Sequence, residues 1–300
     1  MTQDFLAYLV DRAMEDPRLN GMRPVIEKEI LHYDILFALE QGGFLEDLVF
    51  QGGTALRLCH GAPRFSEDID FTGGPDFTAV RLAELDSHLN DYLSRRYRLE
   101  TIVRPPIGVP GTPDVSIPVI SRWRINVVTR PASPHIPRQR IHLEVCNVPS
   151  YASELMPLKR NYDFLPDGYE DMVIRVETKE EIFADKLVAF PAMIPRYTRW
   201  RDIWDMRWLM RQGVPVNAGM VEAKIADYRI EGFAGLLETA SERMTRLVNS
   251  QEFVDQMDLF LTEPAARTTV RQPGWRDVVA RELKEILSGL AKQLVQHQAV

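Results

Sequence analysis

The sequence predicts an α/β fold of the α+β kind: a small mixed β-sheet flanked by helices over residues 1–175, then a mostly helical domain over 176–300. Three observations predict it. A short apolar run, Leu48-Val49-Phe50, stops at Gly52-Gly53 and gives way to helix-favouring residues from Thr54 to Cys59. Polar/apolar alternation, the mark of a half-buried strand, recurs at Ser66–Phe71, Trp123–Thr129 and Arg140–Cys146. Apolar residues at helical spacing occupy 4–14, 24–41 and 79–97, and the chain reads as helical from 217 onward.

Each element follows from its residues. In the second helix Val25, Ile26, Ile30, Leu31, Ile35, Leu36 and Leu39 make a broad apolar face. Pro24 suits its first turn and Gly42-Gly43 its end. Leu82, Leu85, Leu89 and Leu93 give residues 79–97 a core-facing stripe. Pro105 to Pro118 is rich in Pro and Gly and reads as an irregular loop, as does a Pro-rich turn at 131–137. Ile174–Glu177 is a short strand, and Thr178 with Glu181 forms a capping box opening a helix whose stripe is Phe183, Leu187 and Phe190. Pro191 and Pro195 are expected to break that helix, and another runs on to Met210 before Gly213. The last helix, about 275–296, shows Val279, Leu283, Ile286, Leu290 and Leu294 along one face.

Composition bounds the function. With 300 residues, 45% hydrophobic and 26% charged, the chain has enough apolar mass for a full core. Cys59 and Cys146 sit in apolar contexts without Cys-x-x-Cys spacing, which argues against a disulfide scaffold and a zinc site. No basic leader followed by an apolar run opens the sequence, and no stretch reaches about 18 apolar residues, so a cytoplasmic protein without a membrane partner is expected. A net charge of -7 argues against a broad, sequence-independent grip on nucleic acid. Arginines nevertheless cluster at 95–98, 122–130, 138–140 and 196–201, either as solvated faces or as a local rim for RNA.

The chemistry concentrates in Gln51–Thr72, QGGTALRLCHGAPRFSEDIDFT. A strand that breaks on glycine into a helix turns backbone N–H groups and the Thr54 hydroxyl toward one point, which suits an anion such as a triphosphate. Alternation puts Asp68 and Asp70 on one face of the following strand, with Ile69 and Phe71 toward the core. Two such carboxylates repel unless a divalent cation lies between them, and oxygen-only ligands select Mg²⁺ or Mn²⁺. A Gly-Gly-Thr turn or an Asp-x-Asp pair alone is commonplace. Their succession here, led by Arg64-Phe65-Ser66-Glu67, is what points to a nucleotide site, with Gly52, Gly53, Thr54, Arg64 and Ser66 as candidate nucleotide contacts. On a later strand Ile141, Leu143 and Val145 face the core, which leaves His142, Glu144 and Cys146 on the other side. Glu144 is then placed to be a third carboxylate, as metal ligand or general base. An exposed strand glutamate is the plainer alternative, and His142 is read as a neighbour rather than a ligand.

The run GGTALRL…G…RFSEDIDF resembles the signature of the AbiEii/AbiGii toxin family, nucleotidyltransferases with the DNA polymerase β-like fold; the match is specific over residues 44–72. Glu27-Lys28 also resembles the family, while Gln51 stands where many members carry Lys. A downstream block, E-x-x-x-x-K-L-x-A followed by R-x-x-R-D-x-x-D, is similar too. The resemblance implies that Lys186 contacts nucleotide phosphates and that Asp202, in preference to Asp205, completes the catalytic group of Asp68, Asp70 and Glu144. It further implies a Mg²⁺-dependent toxin with a cognate antitoxin protein, moving NMP from an NTP to an RNA, a tRNA first among acceptors. Two other functions fit the same residues: transfer to a small molecule of the antibiotic type, and nucleotide binding without turnover in the service of a partner.

Overall fold

The structure is a computed structural model that describes residues 5–107, 118–131, 135, 137–166 and 168–297. Most of the loop expected at 105–118 and of the turn at 131–137 lies outside the described residues. The chain divides into two compact units, Met1–Glu177 and Thr178–Val300.

The first unit is built on one mixed sheet. Its elements in order are α1 (Phe5–Met14), α2 (Arg23–Gln41), β1 (Val49–Gln51), α3 (Gly52–Leu58), β2 (Ile69–Thr72), α4 (Leu85–Tyr97), β3 (Thr101–Arg104), β4 (Ile120–Val127), β5 (Gln139–Cys146), β6 (Ser153–Pro157) and β7 (Val173–Glu177). The seven strands lie in the order β3-β4-β5-β2-β1-β7-β6. β2 with β5 and β1 with β7 run parallel, and the other neighbours are antiparallel. Register is pinned by alternation: Phe50 lies opposite Phe71 and Val176, Ile69 opposite Leu143, and Trp123 opposite Leu143, all of them buried. A slip of one residue would turn this whole apolar set to the other face.

α2 is buried nearly all round, so its polar residues need partners in the interior. Glu27 accepts from Arg130, Thr129 and Gln139. Glu29 takes a forked bond from Arg57 of α3, at 2.7 and 3.0 Å. Asp34 accepts the hydroxyls of Tyr92, Tyr97 and Tyr169 and lies 2.8 Å from Arg96. Burial raises the Asp34 carboxyl above its ordinary range, against the pull of Arg96 and the hydroxyls.

Several sequence expectations shift by a turn. Residues 79–97 are not one helix: a 3₁₀ turn, Ala79–Leu82, precedes α4, and Leu82 and Leu85 are both buried although the α-helix is interrupted between them. The fourth strand covers Ile120–Val127 rather than 123–129. β2 begins only at Ile69, because the backbone ahead of it bonds to side chains instead of to a neighbouring strand.

The second unit is helical: α5 (Lys179–Met193), α6 (Trp200–Arg211), α7 (Ala218–Asp227), α8 (Phe233–Val248), α9 (Gln251–Asp258), α10 (Glu263–Thr268) and α11 (Pro273–His297). Thr178 caps α5 by accepting from Glu181 N. The other half of the expected box is diverted, since the Glu181 carboxylate is held 2.9 Å from Lys224 Nζ. Pro191 does not break α5, which continues to Met193. Its missing N–H removes one bond close to the helix end, where the loss is small. In α11 the buried row is Val279, Leu283, Leu287, Leu290 and Leu294; Leu287 takes the place expected of Ile286, because spacings of four, three and four follow the buried stripe more closely. Cys59 and Cys146 are both buried, in keeping with their apolar contexts. Among the described residues no helix is long and apolar enough to cross a membrane.

Candidate active site

The parallel pairing of β2 with β5 sets Asp70 directly opposite Glu144, and the antiparallel pairing with β1 sets Gln51 opposite Asp70. Neighbours in register point to the same side of a sheet, so Asp70 and Glu144 share the face away from the apolar core. Asp68 stands one residue ahead of β2. Its Oδ1 accepts the His142 backbone N–H at 3.0 Å and lies 3.2 Å from His142 Nδ1, which makes His142 the immediate neighbour of the acidic group. Arg122, opposite Glu144 on β4, donates Nε–H to Glu144 Oε1 at 2.6 Å. Cross-strand position alone identifies this arginine; in the sequence it is one of a cluster.

Close approach at the two glycines defines the other wall. Gly52 has φ +78°, a left-handed conformation, and a Cβ there would lie 2.7 Å from Asp70 Oδ2. At Gly53 a Cβ would meet Arg64 Nη2 at 2.6 Å and Ser66 Oγ at 2.9 Å. The turn therefore lets backbone reach both an acidic and a basic side chain. Arg64 and Ser66 are buried, and Arg64 Nη1 donates to the Phe65 carbonyl at 2.6 Å. Thr54 is fully buried, and its hydroxyl donates to the Asp68 carbonyl. It ties the glycine turn to the acidic segment.

An alanine at 52 needs both the left-handed backbone, costing about 1–2 kcal/mol, and displacement of Asp70. Gly52→Ala is expected to lower the melting temperature by a few degrees and cut catalytic turnover at least tenfold. Thermal melting and initial rates on one preparation check this. Wild-type rates would mean that Asp70 needs no fixed position.

The donor set, three carboxylates with no thiolate, suits a hard cation such as Mg²⁺, and the glycine turn leaves the space beside Asp70 that any side chain at 52 would fill. In donor chemistry these residues suit a divalent cation, although among the described residues they are not a set whose ligand atoms already converge on one point.

Lys186 and Asp202 belong to an ion cluster within the helical unit. Lys186 Nζ lies 2.9 Å from Asp202 Oδ1 and 2.8 Å from Asp205 Oδ2, and Arg199 pairs with Asp202. Both acids hold the lysine, so the geometry does not set Asp202 above Asp205. Burial would raise the Asp202 carboxyl, but Arg199 and Lys186 outweigh it and hold the group well below the ordinary range. A depressed carboxyl adds stability above the unfolded-state pKa, about 4, and loses it as pH falls below that value. Between pH 5 and pH 2 the melting temperature of the wild type is expected to fall more steeply than that of Asp202→Asn. Parallel curves would show that Asp202 carries no such linkage.

Of the clustered arginines, Arg96, Arg122, Arg130, Arg138 and Arg199 each pair with an acidic residue. Arg124 lies opposite Arg104 and His142 on the carboxylate face.

Among curated proteins none matches the chain significantly. The MenT4 nucleotidyltransferase toxin of Mycobacterium tuberculosis H37Rv is similar in fold, with a TM-score of 0.52 at 16% identity over 96% of this chain and 98% of that one. JHP933 of Helicobacter pylori gives 0.47 at 18% identity over 91% and 96%. The family model for the nucleotidyl transferase AbiEii toxin, type IV toxin–antitoxin system, matches residues 34–291. That span takes in the glycine turn, the acidic strand and the Lys186 cluster, and the chain accordingly belongs to the AbiEii family of nucleotidyltransferase toxins.

Proposed function

We propose that this nucleotidyltransferase moves NMP from an NTP to the hydroxyl of an RNA acceptor, a tRNA first among candidates, as the toxin of a pair with its own antitoxin protein. The observation that carries the reading is the register Asp70–Glu144, with Asp68 beside it and the glycine turn against Asp70. Asp68, Asp70 and Glu144 would hold Mg²⁺ or Mn²⁺. When bound, the cation supplies charge that stabilises the attacking and leaving oxygens of an in-line displacement.

The chain's own residues supply the rest. The acceptor oxygen attacks the α-phosphorus, its proton passing to a carboxylate or to water, and the bond to the β-phosphate oxygen breaks to release pyrophosphate. Gly52 and Gly53 let the triphosphate approach the backbone, with Arg64 and Ser66 behind them. Thr54 secures the turn through Asp68. Arg122, donating Nε–H to Glu144 Oε1, holds that carboxylate in its aim until a cation replaces it. As the family resemblance implies, Lys186 would set positive charge against the phosphates and Asp202 would complete the catalytic group.

The test is transfer of label from each α-labelled NTP to total cellular RNA with Mg²⁺. Label on a tRNA-sized band supports the reading and names the nucleotide. Label on no RNA, with NTP still bound, moves the acceptor to a small molecule.

A further inference from the structure

Of the three acidic residues, Asp68 alone lies outside the sheet ladder, since β2 starts at Ile69 and the pairing with β5 starts at Ile69–Leu143. Backbone carbonyls in a packed interior need donors, and ahead of the ladder these come from side chains. The Glu67 carbonyl lies 3.0 Å from His32 Nε2, on α2. The Asp68 carbonyl takes the Thr54 hydroxyl, and the Glu67 carboxylate takes Lys28 Nζ at 3.0 Å.

His32 is 1% exposed. A carbonyl only accepts, so Nε2 carries the ring proton. Burial pushes the imidazole down to about 4, so the ring is a neutral donor at physiological pH. Its position is itself fixed, because α2 is clamped to α3 by the Glu29–Arg57 fork and Arg57 in turn lies 4.4 Å over the Phe65 ring. α2 therefore forms a rigid base from which one imidazole reaches the residue next to Asp68.

We infer that His32 is a positioning residue of the metal site: its bond to the Glu67 carbonyl fixes the backbone that aims the Asp68 carboxylate. This rests on the reading of Asp68 as a metal ligand. Residues that orient ligands without touching the metal typically contribute about 10–100-fold in metal affinity. A structural histidine of the core would contribute stability and nothing to the cation.

The experiment separates the two with Mn²⁺ alone, titrated into the full chain by calorimetry, with thermal melting on the same samples. His32→Leu leaves the Glu67 carbonyl without its donor and is expected to weaken Mn²⁺ binding about 10–100-fold. His32→Asn is polar but too short to reach, and is expected to do the same should the leucine variant not fold. His32→Gln places an amide nitrogen near the Nε2 position and is expected to restore binding to within a few-fold. His88 makes the same type of bond, to the Ala38 carbonyl at 2.8 Å, without touching the acidic segment. His88→Leu should lower the melting temperature and leave Mn²⁺ affinity unchanged.

Wild-type affinity in His32→Leu or His32→Asn overturns the inference, and so does an equal loss in His88→Leu. Asp68→Asn is the separate control on the underlying reading. If it binds Mn²⁺ as wild type does, Asp68 is no ligand, and it is that assignment that fails.

Discussion

Asp70→Asn is expected to abolish nucleotide transfer, with a loss of about three orders of magnitude or more in kcat/KM, while the protein melts at or above the wild-type temperature. The first half follows from what the carboxylate would supply. A metal-held charge at a phosphoryl centre is worth several kcal/mol in the transition state, and each 1.4 kcal/mol or so is a decade in rate. The amide has nearly the same shape, fits beside Gly52 and keeps an oxygen, but it loses the charge that a hard cation needs. The second half follows from repulsion. Asp70 stands in register with Glu144 and two residues along the chain from Asp68, so neutralising it relieves like-charge crowding in the metal-free protein. Steady-state rates with Mg²⁺ and a melting curve check both halves. Wild-type turnover would remove the carboxylate group from the mechanism, and a collapse in stability would leave the rate loss without meaning.

The largest expected effect on stability lies in the helical unit. Lys224 of α7 is 1% exposed, with Nζ 2.9 Å from Glu181 and 2.8 Å from Asp185, both on α5. The two acids are four residues apart, on one face of their helix, and a single ammonium bridges both across the α5–α7 contact, offsetting one of their two charges. Lys224→Met keeps the stem's apolar packing and removes the charge, stranding carboxylates in the interior. Breaking a buried ion pair in this way costs about 3–5 kcal/mol, or roughly ten degrees in melting temperature. Adding Glu181→Gln and Asp185→Asn to Lys224→Met should recover part of the loss, since the penalty belongs to unpaired charge rather than to a missing contact. A single-variant loss below about 1 kcal/mol would place the cost of this cluster in the surface ion-pair range.

The sequence by itself determined the class of the fold and pointed to the segments from which a candidate site is read. Periodicity is a local property, so Ile141, Leu143 and Val145 declare a buried strand face without reference to anything else, and α2 and α11 declare themselves by their apolar rows. Gly52-Gly53 and Asp68-x-Asp70 were legible for the same reason: each is a short segment whose chemistry follows from its own spacing. The paired acids, the glycine turn and the downstream Lys186 block also carried the family resemblance, and the family match spans all three.

Tertiary structure decided what depends on neighbours distant in the chain. Glu144 faces Asp70 only because β5 runs parallel to β2 in one particular register, and a run of alternating residues does not encode its partner strand. Thr54 was expected to turn its hydroxyl toward an anion, whereas the fold buries it and has it donate to the Asp68 carbonyl. The arginine clusters divided in the same way, since Arg122, Arg130 and Arg96 found acids 22, 103 and 62 residues away along the chain. Nothing in its local pattern singles out His32. Its value arises where β2 stops short of Asp68, and a carbonyl with no strand beside it takes its hydrogen bond from whichever helix packs there.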